Sequence, residues 1–301
     1  MEQFLQQIAS GLANGAIYAC VALALVMIYV STGHINFAQG EMAMFSTYIA
    51  WQLMDWGANY WVAFVAAVLL SFCMGVIVER VILRPLHNAP VLSIVVVFIG
   101  LLAIFNSTAG SIWSYLIKEF PSPFPKSSFG IAGVIGSHQL GVVMVTLVVL
   151  GLLFLFFRYT PLGLAMRAAA QNPQMARLVG VRVDWMLALG WGLASAVGAV
   201  AGIMVAHIVY LDPNMMAGIL LYAFAGALIG GISNPGGAVL GGFIVGVLEN
   251  MVAFAGNQIE KATGVYIIGN GEKLTVALVI VILVLTIKPA GLFGRVVVKR
   301  V

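Results

Sequence analysis

Charged side chains are scarce in this sequence. Only 8% of its 301 residues are Asp, Glu, Lys or Arg, whereas soluble proteins average about 25%. Hydrophobic residues make up 62% of the chain, and the mean hydropathy is +1.08. Repeated apolar runs of about twenty residues exclude a soluble globular protein and predict a polytopic, all-α membrane protein. The net charge of +4 is therefore no sign of nucleic-acid binding.

The sequence also lacks the motifs of an enzyme. No Gly-x-x-x-x-Gly-Lys-Ser/Thr segment occurs, so we expect no phosphate-binding loop in this chain. His and Cys do not cluster at metal-ligand spacing, and no nucleophile–base set stands out. Cys20 and Cys73 lie within apolar runs and are interpreted as buried thiols. The N-terminal residues lack the basic region of a signal peptide, so the first span is predicted to be retained.

Nine apolar runs are candidate membrane spans, and we treat them as one transmembrane domain over residues 1–301. Six are convincing by length; the runs at 35–54, 91–109 and 215–232 are shorter or interrupted and are candidates for re-entrant segments. The complete set is 8–30, 35–54, 60–83, 91–109, 138–158, 184–207, 215–232, 236–255 and 272–288.

The distribution of Lys and Arg predicts the topology. Placing the loop at 159–184 inside also places ten of the fourteen basic residues inside. Four lysines then fall in two external loops, and the loop at 110–137 is a candidate landing surface or an ordinary interfacial loop. The cytoplasmic set is Arg80, Arg84, Arg158, Arg167, Arg177, Arg182, Lys288, Arg295, Lys299 and Arg300.

The polar stretch at 159–184 carries local helix signals. Pro161 can open a short helix through 162–170, and Asn172-Pro173 repeats the pattern of an N-cap residue followed by proline. Gly180 is well placed to end the second helix in the left-handed conformation. Two small helices that dock a partner are one interpretation; an amphipathic segment lying on lipid headgroups is the other.

Two tight breaks between spans resemble each other. Residues 31–36 (STGHIN) separate the first two spans, and residues 230–237 (GGISNPGG) separate the seventh and eighth. Each contains a glycine followed by an asparagine three residues later, at Gly33/Asn36 and Gly231/Asn234. This pattern is a candidate trace of an internal repeat, which is a common transporter architecture.

Ionisable groups at membrane depth are costly and are candidates for function. Glu41 falls in the first turns of a helix that starts near Asn36, where it either caps the helix or serves a solute. Glu249 lies deep in a glycine-rich span and should point inward, because facing lipid would cost about 2–3 kcal/mol. Four smaller polar residues could line the same route: Asn14, Tyr18, Asn106 and Ser107.

Several segments resemble the permease subunits of branched-chain amino acid ABC importers, in particular the LivH-type half of the permease pair. The likeness covers nearly the whole chain in order, and the stretch that resembles the family's cytoplasmic coupling segment is its most specific part. The segments are 14–19 (NGAIYA), 36–41 (NFAQGE), 163–173 with 176–180 (GLAMRAAAQNP and ARLVG), 226–249 and 288–294 (KPAGLFG).

The resemblance implies a non-catalytic subunit of an ATP-driven importer in the bacterial inner membrane. It implies four kinds of partner: two ATPase subunits that bind ATP and Mg²⁺, a second related permease, a periplasmic substrate-binding protein, and the lipid bilayer. It also favours docking as the task of the stretch at 159–184. The family often has histidine at the position of Gln39, and related permeases carry urea, short amides and other small acids, so the solute stays open.

We therefore predict two sets of functional residues and keep three rival interpretations. A proton-coupled carrier would use Glu41 and Glu249 but gives no reason for the basic loop. A passive channel predicts flux that does not saturate and no accumulation, and a structural scaffold leaves the buried carboxylates unexplained. The candidate pathway or gate residues are Asn14, Tyr18, Asn36, Gln39, Glu41, Asn106, Asn234 and Glu249. The candidate ATPase contacts are Gly163, Arg167, Asn172, Pro173, Ala176, Arg177 and Gly180.

Overall fold

A computed structural model describes residues 2–86, 89–125, 128–129, 135–263 and 273–294. The fold is all-α as predicted, with one small antiparallel ribbon formed by β1 (Ser128–Phe129) and β2 (Ile135–Gly136). In chain order the helices are α1 (Glu2–Thr32), α2 (Gln39–Asp55), α3 (Tyr60–Ile77), α4 (Val91–Trp113), α5 (Ser137–Tyr159), α6 (Pro161–Gln171), α7 (Pro173–Leu178), α8 (Val183–Val209), α9 (Met216–Gly230), α10 (Pro235–Thr263) and α11 (Lys273–Ile287).

All nine predicted spans are helical, but their lengths differ from the prediction. Within the described part of the chain, six helices are long and apolar enough to cross a membrane: α1, α3 with its extension to Leu86, α4, α5, α8 and α10. The run at 91–109, predicted to be short, is a full 23-residue helix. The described part of α11 has only 15 residues. At about 1.5 Å per residue, α2 and α9 are shorter than a ~30 Å hydrocarbon core.

The chain divides into two compact units. We call the first the α8 unit; it comprises Ala24–Pro121 and Thr146–Ala217. The second, the α10 unit, comprises Met1–Leu23, Ser122–Val145 and Gly218–Val301. Helices α1, α5 and α9 each contribute residues to both units.

The α8 unit is built around α8: 78% of its apolar span is buried, compared with 17% of the α4 span. Small residues on α8 allow α2 and α3 to approach its backbone closely. A Cβ atom added to Gly75 of α3 would lie 2.5 Å from the Trp191 carbonyl oxygen. The Ser71 hydroxyl lies 2.9 Å from Ser46 Oγ of α2 and 2.8 Å from Ser195 Oγ of α8, so it joins the three helices.

In the α10 unit, glycines set the contact between α1 and α10. A Cβ atom added to Gly246 would lie 2.2 Å from the Gly15 nitrogen, and one added to Gly242 would lie 2.5 Å from Ala19 backbone atoms. The backbones themselves therefore form this contact, as in other small-residue helix interfaces. The segment after α11 closes the turn between α9 and α10, because Leu292 N–H donates to the Ile229 carbonyl at 2.7 Å.

The two helix breaks share the backbone features that the sequence suggested. Gly33 and Gly231 adopt positive φ values of 73° and 107°. Each glycine N–H bonds the carbonyl four residues earlier, in the last turn of the preceding helix. Each is followed three residues later by an asparagine beside the start of the next helix. The two breaks are thus alike in backbone conformation as well as in sequence, and the internal repeat stays a prediction.

Candidate functional site

The break before α2 is held on α8 by two buried amides. Asn36 and Gln39 are both fully buried. The Asn36 side chain accepts from Ala38 N–H at 3.0 Å and donates to Gln39 Oε1 at 3.3 Å. Gln39 Nε2 donates to the Ala194 carbonyl oxygen at 3.1 Å. These two predicted pathway residues therefore fix the start of α2 against the middle of α8.

Glu41 is buried and lies beside Asn106, as a shared pathway would require. The side chain of Glu41 is 6% exposed, and Asn106 Nδ2 lies 3.5 Å from Glu41 Oε2. The same nitrogen donates to the Pro213 carbonyl at 2.9 Å and to Asn214 Oδ1 at 3.1 Å. The N-cap residue of α2, Ala38, has no side-chain cap hydrogen bond, and the capping role considered for Glu41 stays a prediction.

The polar residues around Glu41 are followed along the same face of α2 by Tyr48 and Gln52. Tyr48 lies two turns after Glu41, and its ring stacks on Trp113 of α4 at a centroid distance of 4.9 Å. Trp113 Nε1 donates to Gln52 Oε1 at 2.8 Å. The buried Tyr48 hydroxyl has no hydrogen-bond partner among the described residues. A polar face with an unused hydroxyl is suited to meeting a solute or water.

A second buried carboxylate lies in the α10 unit. Tyr18 Oη donates to Glu249 Oε2 at 2.7 Å, across 231 residues of sequence. The Tyr18 ring stacks on Tyr222 of α9, with the two planes 13° apart. Glu249 is 9% exposed, so it points inward as its cost in lipid predicted.

The two other predicted pathway residues of this unit have different surroundings. Asn14 is partly buried on α1 and precedes Tyr18 by four residues, which places both on one face of the helix. Asn234 is partly buried, and its amide donates to the Phe293 carbonyl at 3.0 Å. Asn234 thus fastens the α9–α10 turn to the segment after α11.

The two short helices of the predicted coupling loop begin and end at the N-cap residues, prolines and glycine that the sequence indicated. Thr160 caps α6 by accepting from Gly163 N–H at 3.0 Å, and Asn172 caps α7 by accepting from Met175 N–H at 3.0 Å. Pro161 and Pro173 are the first residues of the two helices. Gly180 follows α7 with a φ of 83°.

Glycine is required at the start of α6. A Cβ atom added to Gly163 would lie 2.4 Å from the Phe156 carbonyl oxygen and 2.6 Å from Phe157 Cα. The helix α6 therefore turns back directly on the end of α5, and the loop has little freedom at this corner.

The inner faces of α6 and α7 are anchored to α8, whereas their outer faces are open. Ala169 and Ala176 are buried against Val183 and Leu187. Arg167 and the predicted contacts Asn172 and Pro173 are exposed. Large apolar side chains are exposed beside them: Leu162 (50%), Leu164 (62%), Met175 (60%), Leu178 (81%) and Val179 (78%). An exposed apolar patch with arginine is typical of a protein interface.

Ion pairs fasten the loop to the ends of α3 and α8. Asp184 binds Arg84 at 2.8 Å and Arg177 at 3.0 Å. The guanidinium of Arg80 lies 3.4 Å above the Trp185 ring. Arg177, predicted as an ATPase contact, is thus engaged within the chain, although its side chain is 61% exposed.

Several residues of these clusters were missed from the sequence. Asn214 lies in the Asp-Pro-Asn turn between two spans, and that polar turn was the signal available for it. Tyr48 and Tyr222 carry no local signal, because tyrosine is common on apolar helices. Asp184 was treated only as the end of the coupling loop.

Comparison with known proteins gives a consistent result over the whole chain. The family described as "Branched-chain amino acid transport system / permease component" matches residues 7–287. The chain is 31% identical over 315 aligned residues to the high-affinity branched-chain amino acid transport system permease protein LivH of Salmonella typhimurium, covering 99% of this chain and 98% of that protein. It is 32% identical to the corresponding protein BraD of Pseudomonas aeruginosa, with coverage of 99% and 98%.

One solved structure has a similar fold. It is PsaBC from Streptococcus pneumoniae in complex with Fab, with a TM-score of 0.50 and 13% sequence identity. The match covers 95% of this chain and 92% of that chain. At this identity the likeness concerns the fold alone.

Proposed function

We infer the function of this chain from one premise: it belongs to the family of branched-chain amino acid transport permease components. It is a non-catalytic, multi-pass transmembrane permease subunit of an ABC importer. Its solute is a branched-chain amino acid or a related small amino-acid-like molecule, such as an amide, urea or a small organic acid. Its location is the bacterial inner membrane.

One observation carries the proposal for coupling. The outer face of α6 and α7 exposes Arg167 beside large apolar side chains, while the inner face is anchored to α8. An interface of this kind is suited to a groove on an ATP-binding cassette subunit. Two such subunits bind ATP and Mg²⁺ and hydrolyse ATP, and this chain supplies no catalytic residue.

The contacts within the α8 unit provide a route from that interface to the first helix break. The anchored helices α6 and α7 transmit a push to α8 through Val183, Leu187 and the Asp184 ion pairs. Helix α8 holds Gln39 through the Ala194 carbonyl. Displacement of α8 would therefore move the start of α2, and with it Glu41. Closure of an ATPase dimer would then act as a rigid-body movement on the spans.

The buried polar clusters are the proposed lining or gates of the pathway. Glu41 Oε2, the Pro213 carbonyl and Asn214 Oδ1 all lie within 3.5 Å of Asn106 Nδ2, so the cluster is rich in oxygen acceptors. That chemistry suits the ammonium group of an amino acid. The Tyr18–Glu249 pair is the corresponding candidate in the α10 unit. A second, related permease subunit, making a heterodimer, and a periplasmic substrate-binding protein complete the transporter.

The coupling proposal is tested by the substitution Arg167→Glu in the complete complex reconstituted in vesicles. Reversing this exposed charge should leave the membrane half assembled but lower L-leucine uptake by about tenfold or more, which corresponds to about 1.4 kcal/mol of lost coupling. ATP hydrolysis should no longer be stimulated by loaded binding protein. Lys261→Glu is the matched control, because Lys261 is an equally exposed cation predicted to lie on the other face of the membrane.

Unchanged uptake and unchanged stimulation in Arg167→Glu would remove Arg167 from the interface. Uptake that follows a pH gradient with no ATPase subunit present would instead support the proton-coupled carrier. Flux that does not saturate and never accumulates solute would support a channel.

The pathway proposal is tested by Glu41→Gln, which keeps the size of the side chain and removes its charge. Uptake of L-leucine should fall by about tenfold, while assembly and basal ATP hydrolysis stay at wild-type levels. Glu260→Gln, at an exposed position near the end of α10, is the control. If Glu41→Gln transports normally, the carboxylate of Glu41 has no part in the pathway.

A further inference from the structure

A basic pocket lies at the junction of α3, the segment after α7, and α8. Its volume is about 370 Å³, which falls at the lower end of the range of small-molecule sites. The helix α3 is extended here by a π-helical turn (Val78–Leu83) and a 3₁₀ turn (Arg84–Leu86), which carry two of the lining arginines. The lining residues are Arg80, Arg84, Arg177, Val181, Arg182, Val183, Asp184 and Trp185.

The positive charge of this pocket is only partly neutralised. Four guanidinium groups line it, and Asp184 is the single carboxylate among the lining residues. Asp184 is shared between two of them, Arg84 and Arg177. The buried Glu79, 5% exposed, is not among the lining residues but interacts electrostatically with Arg84 and Arg80. Counting both carboxylates against the four arginines leaves a charge of +2 to be neutralised.

One arginine retains an unused donor. Arg80 lies over the Trp185 ring at 3.4 Å, which orients its guanidinium. Its buried Nε has no hydrogen-bond partner among the described residues. A phosphate oxygen is the natural acceptor for such a group, because the planar guanidinium forms paired, charge-assisted hydrogen bonds with phosphate.

The surroundings of the pocket distinguish a lipid from a free anion. Ile77 and Val81 lie on the same end of the spanning helix as Arg80 and are 58% and 67% exposed. They provide an apolar surface for an acyl chain immediately beside the arginines. Trp185 is 40% exposed, and tryptophan is enriched where a membrane protein meets the headgroup layer. Basic pockets between spans on the cytoplasmic side are suited to anionic headgroups.

We propose that this pocket binds the phosphate-bearing headgroup of an anionic membrane lipid, with an acyl chain along Ile77 and Val81. A bound headgroup would neutralise the remaining charge and connect the end of α3 to the loop between α7 and α8. This site includes Arg177 of α7 and the residues that lead into α8, and the proposal goes beyond the transport function proposed above.

The test is native mass spectrometry of the complete complex with added phosphatidylglycerol, in detergent. The double variant Arg80→Gln/Arg182→Gln should retain phosphatidylglycerol about tenfold more weakly, since at least one charge-assisted hydrogen bond is lost. Arg158→Gln/Lys288→Gln is the matched control: it also removes two positive charges, at exposed positions outside the pocket, and should retain the lipid as the wild type does. Arg80→Lys/Arg182→Lys keeps the charge and should show an intermediate loss, which separates binding from misfolding.

Three outcomes would overturn the proposal. Equal retention by the glutamine variant and the wild type would exclude the pocket as the lipid site. Saturation of the pocket by inorganic phosphate, with no displacement by phosphatidylglycerol, would identify a free anion. Loss of ATPase subunits from the glutamine variant, with lipid retention unchanged, would identify an acidic segment of the partner as the occupant. None of these results bears on whether the complex imports amino acids.

Discussion

The two helix breaks look alike in sequence but are stabilised by different chemistry. The first break is stabilised by side-chain amides: Asn36 donates a hydrogen bond to Gln39, and Gln39 donates one to the Ala194 carbonyl of α8. At the second, most of the contacts are between backbone groups: Leu292 and Phe293 N–H donate to the carbonyls of Ile229 and Gly230 at 2.7 and 3.2 Å, and the Asn234 amide adds one hydrogen bond to the Phe293 carbonyl.

The difference indicates which break can move. A side-chain amide can change its rotamer and partner without disturbing the chain around it. Backbone hydrogen bonds to the last carbonyls of a helix are lost only if the whole donor segment moves away. The surroundings agree, because a Cβ atom added to Gly33 would meet nothing within 4 Å, whereas one added to Gly231 would lie 2.6 Å from the Gly294 nitrogen. We interpret the first break as the adjustable one.

The largest expected effect comes from adding one methyl group at each break. Gly231→Ala should lower the free energy of unfolding by about 3 kcal/mol or more, because backbone strain and a clash with backbone atoms add together. Gly33→Ala meets only the strain of its positive φ and should cost about 1–2 kcal/mol. Denaturation in mixed micelles measures both. Equal losses at the two glycines would contradict the assignment of a rigid second break.

A smaller effect is expected when an amide is removed from each break. Gln39→Leu leaves buried polar groups unsatisfied and should cost about 1–3 kcal/mol. The matched change Asn234→Leu removes an exposed hydrogen bond and should cost about 1 kcal/mol or less. Uptake should fall in Gln39→Leu and stay near wild type in Asn234→Leu. The reverse order would assign the adjustable role to the second break.

Much of the fold could be predicted because its signals are local. Apolar runs identify the spans, and the ends of α6 and α7 follow from Thr160, Asn172, two prolines and Gly180, all within a few residues of the caps that they form. The fourth span, by contrast, was predicted to end at residue 109. In the structure Asn106 finds acceptors on the loop before α9, and Ser111 bonds the Ser107 carbonyl at 2.8 Å, so the helix continues to Trp113.

The candidate sites could be predicted only in part, because partners are chosen by tertiary packing. Depth in an apolar run was sufficient to select Glu41 and Glu249. It gave no information on the partners, since Tyr18 lies 231 residues from Glu249 in the chain. The basic pocket was missed for the same reason: Arg84 and Asp184 are 100 residues apart, and neither is unusual beside the end of a span.

The hydroxyl junction of Ser46, Ser71 and Ser195 has a consequence for how the α8 unit could deform. Ser71 carries one hydroxyl hydrogen but has two acceptors on Ser195, the carbonyl at 2.9 Å and the hydroxyl at 2.8 Å. A rotation of that single hydrogen exchanges one acceptor for the other. We therefore expect that α3 can slide a fraction of an ångström along α8 while the Ser71 hydroxyl keeps a hydrogen-bond acceptor. This helix crossing would then permit a small shear movement.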